Sequence, residues 1–141
     1  MSTYLSSELR QGLLEADDHR CAYCQTTQFN SGFPMVVDHI VPRSKGGPTE
    51  FENICFACHR CNEFKMDVTE KEDPLTGEFV RLFHPRQDEW RDHFVWDAAG
   101  IRIQGKTAVG RVTILALRMN NEVIVQARKN WANAGWHPPE Q

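Results

Sequence analysis

Five cysteines constrain this chain more than any other feature. They stand at positions 21, 24, 55, 58 and 61, so the sequence reads C-x-x-C once and then C-x-x-C-x-x-C. A C-x-x-C knuckle turns two thiolates toward one point, and two knuckles complete the tetrahedron that structural zinc prefers. The N-terminus, "MSTYLSSELRQGLLEADDHR", lacks the basic and apolar stretches of a secretory signal. That predicts a cytoplasmic protein, in which metal binding rather than a disulfide framework is the default for paired cysteines. Cys21 and Cys24 form one pair, while Cys55 with Cys58 and Cys58 with Cys61 compete to supply the other. Local pattern favours Cys58 and Cys61, which bracket a strand-to-helix turn. Cys55 lies in the alternating stretch "NICFAC", where a small buried thiol is unremarkable. Four thiolates leave no open position for substrate, so zinc on Cys21, Cys24, Cys58 and Cys61 would be structural.

The 141 residues suffice for one domain with a real core, and no apolar run approaches the roughly 20 residues of a membrane span. The net charge of −3 does not advertise a nucleic-acid partner, but it is unevenly placed. Residues 1–100 carry 10 Lys+Arg against 17 Asp+Glu, or −7, and residues 101–141 carry 6 against 2, or +4. The second segment could therefore lay a basic face along a phosphate backbone.

Between the knuckles lies "VVDHIVPRSKGG", an apolar strand that sets an acid beside a histidine. Adjacent residues on an extended strand point to opposite faces, so Asp38 and His39 meet in one cleft only if a bend or bulge intervenes. Pro42 cannot donate to a ladder and marks where the strand leaves regular pairing. Gly46 and Gly47 then supply backbone angles that other residues avoid. Phosphodiester hydrolysis needs an activated water, a Lewis acid and a stabilised leaving group. A neutral imidazole can accept the water's proton, and a carboxylate with an amide oxygen suits Mg²⁺ or Mn²⁺.

Residues 21–66 resemble the HNH endonuclease family. The features that carry the likeness are Asp38-His39-Ile40-Val41-Pro42, the loop from Arg43 to Pro48, Asn53-Ile54, and the helix Cys58-His59-Arg60-Cys61-Asn62-Glu63-Phe64-Lys65. The resemblance implies an α+β fold with a zinc-stapled ββα-metal core, and metal-dependent cleavage of DNA to 5′-phosphate and 3′-hydroxyl ends. It implies His39 as general base, Asp38 and Asn62 as ligands of one divalent ion, and Asn53 as the residue that pins the loop and orients the histidine. Arg43, Lys45, Arg60 and Lys65 are the expected contacts to the DNA backbone.

Around this core the pattern predicts an N-terminal helix from Ser7 to Asp18 capped by Ser6 or Ser7, and a turn at "KEDPLTGEF". A hairpin about Ala98-Ala99-Gly100 follows, then one helix capped by Thr107 and a second ended by Gly135. Phe83, Trp90, Phe94 and Trp96 read as core, while His84 and His93 are secondary candidates for the cleft. The competing functions are a zinc-held nucleic-acid-binding module that does not cut and a protein-interaction domain built on the aromatic tail. The choice between a monomer and a homodimer, and with it nicking or double-strand cleavage, stays open.

Overall fold

The structure is a computed structural model that describes residues 5–140. Its first helix, α1 (Ser7–Asp17), starts where Ser6 Oγ accepts the Leu9 amide at 3.1 Å and ends where Asp18 turns left-handed. Leu13 on its inner face is wholly buried. The following knuckle carries Cys21 and Cys24, and the short helix α2 (Gln28–Ser31) leads into the central hairpin.

That hairpin pairs β1 (Val36–His39) antiparallel to β2 (Ile54–Ala57) in unbroken register, from Val36 opposite Ala57 to His39 opposite Ile54. The bulge expected between Asp38 and His39 is therefore not there, and pleating sends the two side chains to opposite faces. All four β2 residues are buried, where alternation suggested a half-buried strand, because structure covers both of its faces. The α1 helix reaches β2 through Asp17, whose Oδ2 accepts the Phe56 amide at 2.8 Å while its carboxylate pairs with Arg86. On leaving β2 the chain makes the second knuckle and enters α3 (His59–Lys65), capped by the Cys58 sulfur.

The extension begins with a small hairpin, β3 (Glu70–Glu72) with β4 (Phe79–Arg81). Only its turn was legible, because its strands, "EKE" and "FVR", are mostly exposed and show no apolar alternation. A helical turn, α4 (Trp90–His93), feeds the hairpin of β5 (Phe94–Trp96) and β6 (Ile103–Gly105). Two capped helices close the chain: α5 (Ala108–Ala116) on Thr107 and α6 (Glu122–Asn133) on Asn121. Phe83 and Phe94 meet edge to face at 5.3 Å and Trp90 lies 5.1 Å from Phe94, so this aromatic run is core, as expected.

Of the six C-terminal cations, Arg102, Lys106, Arg118 and Lys129 are exposed, and Arg111 and Arg128 turn inward. Arg128 is fully buried, with Nη1 donating to the Ile101 carbonyl at 3.0 Å. Arg111 is paired with Asp73, Arg118 lies over the Phe64 ring, and Lys106 donates to the Arg91 carbonyl. These cations tie the extension together.

Candidate metal and active site

The four sulfurs of Cys21, Cys24, Cys58 and Cys61 lie within 4.8 Å of one another and all four residues are buried. Cys24 and Cys58 sulfurs are 3.7 Å apart, close to the edge of about 3.8 Å that a tetrahedron with Zn–S bonds of ~2.3 Å requires. In each knuckle the backbone amide of the second cysteine donates to the sulfur of the first, at 3.5 Å and 3.4 Å. Burial pushes the Cys21 thiol up, whereas hydrogen bonds from Cys21, Cys58 and Cys61 hold the Cys24 thiol well below its ordinary value. The cluster is the arrangement of a structural zinc centre, and its two knuckles fasten the start of the chain to the start of α3. Cys55 lies outside it, on β2 opposite Asp38.

Arg60 belongs to this centre. Its Nη2 sits 3.9 Å from the Cys24 sulfur, and the surrounding thiols hold its pKa up against burial. Expected on DNA phosphate, Arg60 here also contacts the sulfur cluster.

The opening acid and histidine divide between two environments. Asp38, 5% exposed, faces the interior, where Oδ2 accepts the Tyr23 hydroxyl at 2.6 Å and lies 3.1 Å from the Lys65 ammonium. Burial pushes its carboxyl up, opposed by the Lys65 charge and the Tyr23 hydrogen bond. Lys65 is itself only 1% exposed. Its Nζ reaches Asp38 Oδ1 at 3.3 Å and the carbonyls of His39 and Ile40 at 3.0 and 3.1 Å. Lys65 thus cannot serve as the exposed phosphate contact expected of it, and instead binds α3 to the end of β1 through four oxygens.

His39 faces the loop, half-buried, with Nε2 2.8 Å from Thr49 Oγ1. Burial, then the charge of Arg43, lowers its pKa below the ordinary imidazole value, so the ring is neutral near pH 7 and able to take a proton. The loop above it is fixed by Asn53. That residue's Oδ1 accepts the Val41 amide at 2.9 Å, and Nδ2 donates to the carbonyls of Val41 and Pro48 at 3.0 and 2.9 Å. Gly46 takes a left-handed φ of 86°. Gly47 is required for a different reason than its backbone angle: a Cβ there would overlap the Val41 carbonyl oxygen and crowd Asn53 Nδ2 at 2.8 Å. Arg43 and Lys45, on the 3-10 turn between, are exposed.

Asn62 lies three residues before Lys65 on α3, so its half-buried side chain stands one turn from the ammonium that grips Asp38. Its amide makes no side-chain hydrogen bond among the described residues. His93 is not at this site, because its Nδ1 is 2.6 Å from Thr107 Oγ1 in the extension. His84 lies beside the end of β1 in a cavity that Lys65 also lines. Tyr23 and Thr49, the partners of Asp38 and His39, were not foreseen, since nothing in the knuckle or loop spacing sets them apart.

The family model for HNH endonuclease matches residues 21–67. A CRISPR-associated endonuclease Cas9 from Corynebacterium diphtheriae is 36% identical over 76 residues, 50% of this chain and 7% of that protein, so the chain spans a small part of the relative it matches. No solved structure is significantly similar. The motif and the four-sulfur centre thus both fall within residues 21–67, the span that matches the HNH endonuclease family model.

Proposed function

We propose that the protein is a metal-dependent endonuclease that hydrolyses phosphodiester bonds in DNA. The observation that carries this reading is the neutral, half-exposed His39 on a loop locked by Asn53, directly after an acid that already holds a cation. His39 takes a proton from the attacking water through its ring nitrogen, and Thr49 holds the imidazole in place. Asp38 and the amide oxygen of Asn62 are the hard donors that would hold Mg²⁺ or Mn²⁺. In the structure Asp38 is already engaged by the Lys65 ammonium and the Tyr23 hydroxyl, so a divalent ion would have to share that carboxylate. Bound there, it would supply the Lewis acidity that the phosphate and its leaving oxygen need. Arg43 and Lys45 flank His39 on the exposed loop, where they can meet the DNA backbone. Zinc on the four cysteines holds the α3 helix, and with it Asn62, against the hairpin.

The test is conversion of supercoiled plasmid in Mg²⁺ or Mn²⁺ by the wild type and by His39→Ala, with zinc content measured on both. Metal-dependent nicking that disappears in the variant, at unchanged zinc, supports the proposal. DNA binding without nicking by the wild type overturns it in favour of a zinc-held binding module.

A further inference from the structure

Beside the end of β1 the chain encloses a cavity of about 210 Å³. Val41, Val68 and Leu82 form apolar walls, and Thr69, His84 and Gln87 bring polar side chains to it. The backbone bond from the Leu82 amide to the Thr69 carbonyl, 3.0 Å, closes one side. His84 is oriented: its Nδ1 accepts the Arg86 amide at 3.2 Å, which leaves the ring proton on Nε2. Burial also lowers its pKa, so the ring is neutral. No hydrogen bond occupies His84 Nε2, Thr69 Oγ1 or the side-chain amide of Gln87 among the described residues, although the Gln87 backbone amide donates to the His84 carbonyl. The cavity thus offers hydrogen-bonding groups between apolar surfaces, and Ile40 and Val41, the two residues after His39, line it.

We propose that this cavity is a nucleobase subsite that takes one unstacked base next to the scissile phosphate and reads its edge through His84, Thr69 and Gln87. The assignment rests on the nuclease reading for its substrate. Size restricts the occupant, since drug-sized pockets run to about 300–1,000 Å³ and this one fits a single heterocycle. Charge disfavours phosphate as the group bound. The two cations on its wall are committed, Lys65 to Asp38 and Arg81 to Asp88 through contacts of 2.6 and 3.1 Å. Apolar faces with hydrogen-bonding groups at the edge are what an extruded base requires.

Two measurements on the zinc-loaded full chain test this. In the first, deoxynucleoside monophosphates are titrated without catalytic metal and followed by amide chemical shifts. Saturable shifts at Val41, Val68, Thr69 and His84 are expected, and their absence overturns the subsite. In the second, duplexes randomised around one cleavage site are cut by the wild type, His84→Ala and Gln87→Ala, with melting temperatures checked. The wild type should prefer one base at a flanking position by at least about tenfold, and both variants should lose that preference. An identical base profile in all three proteins overturns the proposal. Nucleotide shifts on this wall from a protein that cuts nothing would uphold the subsite and sink the nuclease reading, so the two failures are separable.

Discussion

Asp38 and Lys65 meet where solvent screens almost nothing, at 5% and 1% exposure. Removing one partner of such a pair strands the other charge, which costs about 3–5 kcal/mol. Lys65→Met should therefore lower the unfolding free energy by about that amount in urea melts, and Asp38→Asn added to it should recover much of the loss. If both single variants melt like the wild type, the pair is not holding α3 to β1. Lysines near a helix end are usually solvated, and for that reason Lys65 reads from sequence as a phosphate contact. The register of the hairpin decides otherwise: with no bulge, Asp38 faces inward, and only a cation and the Tyr23 hydroxyl can satisfy it there. The role of Asn53 came from the family resemblance, since an asparagine by itself reads as a turn former.

At the scale of elements, the two knuckles and the hairpin between them were readable because metal-ligand spacing and strand alternation are local signals. The choice of Cys58 and Cys61 over Cys55 follows from the strand-to-helix turn, and the positions of the sulfurs give it a direct check. Cys61→Ser should lose zinc, and residues 21–66 should lose protection from proteolysis, whereas Cys55→Ser should retain one zinc per chain by elemental analysis. Zinc loss from the Cys55 variant would refute the ligand set. The β3–β4 hairpin was not readable, since its order comes from a distant partner. Asp73 organises its turn, accepting from Thr76 Oγ1 at 2.9 Å, and also binds Arg111 of α5 through two contacts of 2.9 Å. The Arg111 guanidinium holds the Asp73 carboxyl well below the usual carboxylate range. A depressed acid contributes stability that is fully present above its unfolded value, about 3.9, and that is lost as pH falls through the folded value. Asp73→Asn should therefore melt earlier than the wild type at pH 7, and the gap should shrink on acidification below about pH 4. A gap that is constant with pH would contradict this role.

For the whole molecule, the split charge of the sequence suggested a basic C-terminal face, but charge counts ignore where side chains go. Burial of Arg128 and pairing of Arg111 turn part of that excess into internal ties, while Arg102, Lys106, Arg118 and Lys129 stay exposed. No helix among the described residues is long and apolar enough to cross a membrane. The extension packs against the hairpin, and Arg86 reaches back to Asp17 and to the carbonyl of Ile54 at 3.0 Å. The domain and its extension thus share one set of buried polar contacts, through which the extension braces the strand that pairs with the site. The site itself depends on a single imidazole taking a proton, and that is open to chemical complementation. His39→Gly should cut a labelled duplex far more slowly than the wild type under single-turnover conditions in Mn²⁺. Added imidazole should restore the rate in proportion to its neutral form. If His39→Gly cuts as fast as the wild type, or stays inactive at every imidazole concentration while folded and zinc-loaded, His39 is not the base.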